Sequence, residues 1–310
     1  MSDSPIRIGG RKTLLDYLFF TRPVLMPPVW TIALLGVATA PDHSHPWWEW
    51  AAFVVQLWCL FGAVYTLNQI CDVESDRINR KLFFLPESLI SIRAAWSFTV
   101  ALNLVALVLG LLFTGIYVAL TAGIMLLGVA YSAGRHPWKN HPLLGFLANT
   151  VAHGMIVYVM GITFAGVYSA EAWVPAFAYA CAVGAVYLAT TVADIPGDQQ
   201  SGKRTIGVWA GGRITMLLAA VLVGVAVILA MWQDQVVLAL ASLVSLPVFA
   251  WGAQSDSLRR APRVAITGVA TLTLGASVYF PVYLGLMIIG FFLARAFFRW
   301  RFGMAYPNFG

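Results

Sequence analysis

The stretch AVYTLNQICDVESDRINRK, residues 63–81, joins an apolar run to a cluster of acids and bases. Over the whole chain, 60% of residues are hydrophobic and only 10% are charged. A charged side chain in or beside hydrocarbon costs at least about 2.5–3.5 kcal/mol on insertion scales, so such a cluster rarely persists without a function. The stretch therefore indicates a functional site at the end of a membrane-spanning helix.

The composition excludes a soluble globular domain. Mean hydropathy is +0.80, and a water-facing surface needs far more charge than this. We therefore predict an all-α, polytopic membrane bundle of nine or ten transmembrane helices. The predicted spans lie near residues 24–40, 47–67, 94–113, 116–132, 143–167, 173–193, 214–232 and 236–253.

The last apolar stretch, residues 264–298, is too long for one span. At about 1.5 Å per residue it would form a rod of about 52 Å, against a hydrocarbon core of about 30 Å. It must bend near Pro281, giving either two short spans or one span and a surface-lying tail. The first choice gives ten spans and the second gives nine.

The positions of Lys and Arg predict the orientation, because short cytoplasmic loops retain these residues. If the N-terminus is cytoplasmic, 16 of the 19 basic residues fall inside. The remaining three also fall inside if there are ten spans, so charge favours ten. The last three are Arg295, Arg299 and Arg301.

A weak internal repeat links two parts of the chain. AVYTLNQICDVESD at 63–76 aligns without gaps on AVYLATTVADIPGD at 185–198, and the alignment pairs two aspartates of each copy. In a helix, residues four apart share one face, so Asn68, Asp72 and Asp76 should form a polar stripe. Pro196 and its following glycine should break the second copy and place Asp198 in a turn. Both aspartate pairs should still reach the same membrane depth.

Facing carboxylates repel one another unless cations compensate, and Mg²⁺ favours oxygen ligands together with substrate phosphates. Two facing aspartate pairs therefore suggest a metal-bridged polyphosphate site. Nearby bases support this hypothesis, although each alone is more often a surface charge that sets topology. The bases on this side are Arg22, Arg77, Lys139, Lys203 and Arg204.

Two other interpretations of these acids remain open. They could be solvated charges at helix ends, or they could belong to a proton-coupled transporter, since intramembrane acids also mark ion pathways. The acids sit at span ends on one face, whereas a transporter would place them at the midplane. The histidines show no metal-binding spacing, and His153 simply falls within a span.

At these residues the chain resembles the UbiA superfamily of intramembrane prenyltransferases. Residues 68–76 fit that family's first motif, NxxxDxxxD, and residues 194–205 fit its second, DxxxD followed by Gly-Lys-Arg-Thr. Tyr131-Ser132, Lys139 and the following Pro-Leu-Leu-Gly are similar to its YS…K…PLLG loop. Arg22-Pro23 is similar to its first-helix RP, so the match covers about residues 17–215.

The resemblance implies Mg²⁺-dependent transfer of an isoprenyl chain from an isoprenyl diphosphate to a hydrophobic acceptor, expected to be aromatic, as in quinone, tocopherol or chlorophyll synthesis. Terpene cyclisation and phosphoribosyl transfer are alternatives within the superfamily. Two Mg²⁺ ions would bridge the diphosphate, and members normally have nine spans. The implied metal and catalytic ligands are Asn68, Asp72, Asp76, Asp194 and Asp198, with Arg22, Arg77, Lys139 and Lys203 as candidate substrate contacts.

Aromatic side chains are expected to line the cavity, because their π-faces stabilise an allylic cation. The candidates are Tyr65, Tyr131, Tyr158 and Tyr187. We expect residues 1–310 to form one domain, with a motif-bearing core at about 17–215 and C-terminal helices at 216–310. It should lie in a bacterial inner membrane, with the N-terminus and both aspartate motifs cytoplasmic. Neither nucleic acid nor an obligatory protein partner is expected.

Overall fold

A computed structural model describes residues 13–40, 44–78, 84–254 and 257–307. All regular structure in these ranges is helical, which confirms the predicted all-α bundle. A π-helix at Thr150–Ile156 connects α7 to α8, and a 3₁₀ turn at Pro23–Leu25 connects α1 to α2. The α-helices are α1 Leu14–Phe20, α2 Met26–Ala38, α3 Trp47–Cys71, α4 Val73–Ile78, α5 Ile92–Gly110, α6 Gly115–Ser132, α7 Pro142–Asn149, α8 Val157–Phe164, α9 Ala176–Ala193, α10 Ile195–Gln200, α11 Ile206–Ala210, α12 Gly212–Trp232, α13 Val236–Gly252, α14 Ser257–Tyr279 and α15 Pro281–Phe302.

Nine helical stretches within the described residues are long and apolar enough to cross a membrane. They include every predicted span except α13, which is apolar but has only 17 residues. At 1.5 Å per residue α13 is roughly 26 Å long, near the minimum for crossing. The first stretch begins at Leu14, earlier than the predicted start at residue 24, because α1 and α2 run on through the 3₁₀ turn.

The predicted bend near Pro281 is confirmed. Helix α14 has 23 residues and α15 has 22, and Phe280 separates them. Pro281 occupies the first turn of α15. A backbone N–H in the first turn has no intrahelical acceptor, so proline loses no hydrogen bond there. Both helices are longer than the predicted halves, because α14 begins at Ser257 and α15 continues to Phe302. Each is therefore long enough to span.

A buried ion pair joins the end of α15, the last helix, to α1, the first. Arg301 Nε lies 2.8 Å from Asp16 Oδ1 and its Nη2 lies 3.0 Å from Asp16 Oδ2. Close by, the ring of Phe19 stacks on that of Phe297, with centroids 3.8 Å apart. The end of α15 and the start of α1 thus lie at the same end of the bundle. An even number of crossings follows, which favours ten spans over nine.

The aspartate motifs lie at that same end, because Gln69 Nε2 on α3 donates to the carbonyl oxygen of Phe20 at 2.8 Å. The bases Arg7, Arg11, Lys12, Arg80 and Lys81, which the charge argument uses, lie outside the described residues.

Small residues let the central helices approach closely. Helices α2 and α8 pack together where Gly36 faces Gly161. A Cβ atom on Gly161 would overlap the carbonyl oxygen of Ala33, so only glycine fits this crossing. Helix α9 packs against the π-helix, α12 and α14, and α3 packs against α5 and α6. This packing fixes α3 and α9, which carry the two motifs.

Candidate active site

The two motifs have the same local structure. In each, a long helix ends, an aspartate follows, and a six-residue helix carries the second aspartate. The backbone continues the helical pattern through the junction: Asp76 N donates to Asp72 O at 2.8 Å, and Asp198 N donates to Asp194 O at 2.9 Å. The sequence repeat is therefore also a repeat of backbone conformation.

The structure corrects the expectation that Asp198 lies in a turn. Asp198 lies in α10, and Pro196 does not break that helix. Pro196 occupies the first turn, where its ring is tolerated and its missing N–H has no helical partner to lose.

The two motifs meet across the bundle. Lys203, from the loop after the second motif, places its Nζ 3.4 Å from Asp72 Oδ1 of the first. Tyr131 lies close enough to Asp72, Asp194 and Asp198 to interact electrostatically with all three. Three of the predicted ligands therefore lie around Tyr131.

Lys139 ties the loop between α6 and α7 to the first motif. Its Nζ lies 2.9 Å from Asp72 Oδ1 and donates to Asn68 Oδ1 at 3.0 Å, and the side chain is almost fully buried. Ser132 Oγ also donates to Asn68 Oδ1, at 3.2 Å. Lys139, Asn68 and Asp72 therefore form one connected polar group.

The second motif is held by its own loop. Thr205 Oγ1 donates to Asp198 Oδ2 at 2.9 Å, and the backbone N of Lys203 donates to the carbonyl oxygen of Asp198 at 2.9 Å. These bonds position both Lys203 and one carboxylate oxygen. Asp194 is exposed, whereas Asp76 is buried.

The oxygen donors of this region fit a hard divalent cation. Asp72 Oδ1 and Asn68 Oδ1 both contact one ammonium group, that of Lys139, so they already converge on a positive charge. Carboxylate and amide oxygens are ligands that suit Mg²⁺. In the described part of the chain, no three His, Cys, Asp or Glu side chains gather closely enough to hold a metal by themselves. A metal here would therefore also need substrate oxygens or water.

Two of the four predicted tyrosines, Tyr131 and Tyr187, lie near the aspartates. The side chains of Tyr131 and Tyr187 lie close enough to interact with each other. Tyr65 lies three residues before Asn68 on α3, and it is close enough to Arg22 for an electrostatic interaction. Arg22 has a left-handed backbone, with φ of 57°, a conformation that costs non-glycine residues about 1–3 kcal/mol and that clusters at functional sites.

Two predicted residues are not brought to the site. Tyr158 pairs with Thr39, at the opposite end of α2, and stacks on Tyr179 with centroids 4.5 Å apart. Arg77 is exposed and contacts Glu74 at 2.7 Å. The role of Arg77 as a phosphate contact stays a prediction.

One contact inside the bundle was not predicted from the sequence. His153, in the π-helix, places its Nε2 3.2 Å from the hydroxyl oxygen of Tyr65. The two residues are far apart along the chain, and His153 has no motif spacing that could have signalled the contact.

The fold and site define an integral, multi-pass membrane protein built around two aspartate motifs. The profile of the UbiA prenyltransferase family matches residues 29–265, and the chain belongs to this family.

Curated relatives include plant and archaeal proteins. The chain is 29% identical over 224 residues to chloroplastic 2-acylphloroglucinol 4-prenyltransferase of Humulus lupulus, covering 67% of this chain and 47% of that protein. It is 32% identical over 204 residues to digeranylgeranylglyceryl phosphate synthase of Natronomonas pharaonis, covering 64% of this chain and 69% of that one. The chain thus spans about half the length of the plant relatives it matches.

Solved structures share the fold. A UbiA homologue from Archaeoglobus fulgidus bound to GPP and Mg²⁺ superposes with a TM-score of 0.69 at 18% identity, covering 84% of this chain and 99% of that chain. The apo structure of a UbiA homologue from Aeropyrum pernix K1 gives 0.63 at 17% identity, covering 89% and 98%. At these identities the likeness establishes the fold alone.

Proposed function

We propose that this protein transfers an isoprenyl chain from an isoprenyl diphosphate to a hydrophobic acceptor, expected to be aromatic. The observation that carries the proposal is that Lys139 and Lys203, the latter from the loop after the second motif, both contact Asp72 of the first motif. Membership in a prenyltransferase family favours an enzyme over a proton-coupled transporter. The names of two relatives suggest acceptor classes to test. The plant protein's name indicates an acylphloroglucinol, and the archaeal protein's name indicates a glyceryl phosphate lipid.

The proposed metal ligands are Asn68, Asp72, Asp76, Asp194 and Asp198. Mg²⁺ bound there would neutralise the diphosphate's charge and so favour its departure. The Archaeoglobus homologue, which was solved bound to GPP and Mg²⁺, supports this cofactor. The presence of two ions stays a prediction.

The chain's own cations would bind the leaving group. The ammonium groups of Lys139 and Lys203 both contact Asp72 and are mostly buried, so they can donate to diphosphate oxygens at the same place. Arg22 would add a third contact. A positive site in low dielectric stabilises the charge that develops on the departing diphosphate.

An apolar cavity of about 670 Å³ lies between α2, α3 and α15. Pro23 and Val24, which follow Arg22 directly, line one end, and Trp30 and Trp58 line its wall. Such a space suits a hydrocarbon chain whose diphosphate is held near Arg22. Tyr65, Tyr131 and Tyr187 would present π-faces to the allylic cation, and the surrounding apolar residues would exclude water.

We also infer that residues 1–310 form one domain, with a motif-bearing core at about 17–215 and C-terminal helices at 216–310, and that the N-terminus and both motifs face the cytoplasm. The one-sided distribution of Lys and Arg supports this orientation. Location in a bacterial inner membrane stays a prediction. So does the expectation that the protein needs neither nucleic acid nor an obligatory protein partner.

The test uses purified full-length protein with radiolabelled geranyl diphosphate and Mg²⁺, followed for both diphosphate release and product mass. We expect EDTA, Asp72→Asn and Asp194→Asn each to lower release at least about 100-fold, because each removes charge neutralisation. Glu74→Gln is the matched control: it removes a carboxylate from the same segment, but that carboxylate is exposed and pairs with Arg77. Release that survives EDTA or both Asp variants refutes the proposal, whereas a cyclic product formed without acceptor indicates a terpene cyclase.

A further inference from the structure

His153 and Tyr65 form a polar pair inside the bundle that the proposed metal and diphosphate site does not use. His153 Nδ1 lies 3.3 Å from the carbonyl oxygen of Asn149, one turn earlier on the same helix. A carbonyl oxygen can only accept, so Nδ1 carries the ring proton. In the neutral ring the other nitrogen, Nε2, is then the acceptor, and it faces the Tyr65 hydroxyl at 3.2 Å.

The Tyr65 hydroxyl has a second acceptor. Its oxygen lies 3.3 Å from the carbonyl oxygen of Leu25. The hydroxyl has one proton, so it can donate to Leu25 and release His153 Nε2 without becoming an unsatisfied buried donor. Nε2 can thus accept a hydrogen bond from another molecule at little cost.

The surroundings of the pair are aromatic. The His153 ring lies 4.8 Å from the ring of Phe61 and stacks on Tyr65 with centroids 6.2 Å apart. Both His153 and Tyr65 keep some accessible surface, although Tyr65 packs against the central hydrophobic core and His153 packs against Phe61 of that core. The pair therefore presents a partly accessible polar edge in aromatic surroundings, which suit a flat, aromatic molecule.

The depth of the pair relates it to the aspartates. Tyr65 precedes Asp72 by about two turns of α3 on the same face, which places it on the order of 10 Å deeper in the bundle. A diphosphate held at Asp72 and Lys139 would direct its first carbon inward, toward this depth. An acceptor at Nε2 would then lie on the side toward which the reacting carbon points.

We propose that His153 is a catalytic residue that binds the phenolic hydroxyl of an aromatic acceptor and takes its proton; this rests on the proposed function. The C–O bond of the allylic diphosphate breaks, and its electron pair leaves on the diphosphate. A ring carbon of the acceptor, with electron density released from its hydroxyl, forms the new C–C bond as the hydroxyl proton passes to Nε2. The ring then regains aromaticity by moving the proton of the alkylated carbon to its oxygen, and the imidazolium returns its proton to the released diphosphate.

Tyr65 acts as a positioning residue in this scheme. Its hydroxyl holds the imidazole before the acceptor arrives and turns to Leu25 afterwards. Loss of this hydroxyl should lower turnover less than loss of Nε2.

Two substitutions separate orientation from proton transfer. His153→Asn keeps a donor near the carbonyl of Asn149 but removes Nε2. His153→Gln places an amide near the position of Nε2. That amide can accept a hydrogen bond but cannot take a proton near neutral pH. With 2-acetylphloroglucinol as acceptor, we expect His153→Gln to keep KM within about threefold and to lower kcat at least about 100-fold, the range of general acid–base catalysis. We expect His153→Asn to lower kcat equally and to raise KM about tenfold. Tyr65→Phe should lower kcat about tenfold.

Diphosphate release from geranyl diphosphate and Mg²⁺ without acceptor is the internal control. Both His153 variants should retain it within about threefold, whereas Asp72→Asn should lose it. If wild-type protein itself releases no diphosphate, the proposed function has failed, and this inference fails with it. If the His153 variants lose release and alkylation in parallel, or alkylate like wild type, the catalytic role is overturned while the proposed function stands.

A second measurement does not depend on how the variants fold. Wild-type protein is given the trimethyl ether of 2-acetylphloroglucinol, which has no phenolic proton. The inference is supported if the protein releases diphosphate and alkylates the free phenol but does not alkylate the ether. Alkylation of both at equal rates overturns it, and so does diphosphate release with no alkylation of the free phenol.

Discussion

Removing one partner of the buried pair of Asp16 and Arg301 should be among the most destabilising single changes in this protein, and this can be tested directly. Their exposed fractions are 0% and 1%, so neither charge has access to water once the partner is removed. Asp16 Oδ2 also accepts from the backbone N of Thr13 at 2.9 Å. Both carboxylate oxygens are thus satisfied by contacts within the fold.

Removing one partner leaves the other charge buried and uncompensated. Such losses cost about 3–5 kcal/mol, whereas replacing both charges is often neutral or even stabilising. Arg301 Nη1 has no hydrogen-bond partner within the described part of the chain, so the native pair is itself incompletely satisfied. We therefore expect Arg301→Met and Asp16→Asn each to lower the free energy of unfolding by about 3–5 kcal/mol. The double variant should recover most of that loss, because the amide side chain that replaces Asp16 keeps an oxygen for the backbone N of Thr13.

The assay is a double-mutant cycle by denaturant titration in mixed micelles, followed by tryptophan fluorescence. Arg299→Met is the matched control, since Arg299 is on the same helix but exposed, and its replacement should change stability by no more than about 0.5 kcal/mol. If the two single effects add within about 0.5 kcal/mol in the double variant, the residues are not coupled. That result would also remove the structural argument that α1 and the end of α15 share one face of the membrane.

Three further predictions concern packing, the site and topology. Gly161→Ala should lower the melting temperature by several degrees, because its Cβ overlaps the carbonyl oxygen of Ala33, whereas Gly224→Ala, which meets no atom within 4 Å, should leave it unchanged. Equal melting temperatures for the two variants contradict the close crossing. Tyr158→Phe should leave prenyl transfer within about twofold of wild type, since its hydroxyl lies at the end of the bundle away from the aspartates; a tenfold loss in the radiolabel assay would show that the site reaches further. A cytoplasm-only fluorescent reporter at the C-terminus should be bright, while activity of a fused periplasmic phosphatase would mean nine spans.

The sequence by itself determined the membrane class and indicated a candidate position for the site. Hydropathy and span length act locally, since each helix must satisfy its own backbone in hydrocarbon, so apolar runs identify helices without knowledge of their neighbours. The aspartate repeat could be recognised for a related reason: acids are rare in this chain, and their spacing within one helix fixes which face they share. Even so, the prediction for Pro196 was wrong, because the effect of a proline depends on its position within the helical turn.

Contacts between distant segments were decided only by the tertiary structure. The pairing of Arg301 with Asp16 joins residues from opposite ends of the sequence and places the end of α15 beside the start of α1, which no local pattern could predict. Tyr158 and Tyr65 looked alike as candidate cavity residues, yet one packs beside Thr39 and the other meets His153. Each of these outcomes depends on which helices are neighbours and how they are rotated. Helix rotation in a membrane bundle follows from the close packing of small residues, such as Gly36 and Gly161, whose partners lie far away in the sequence.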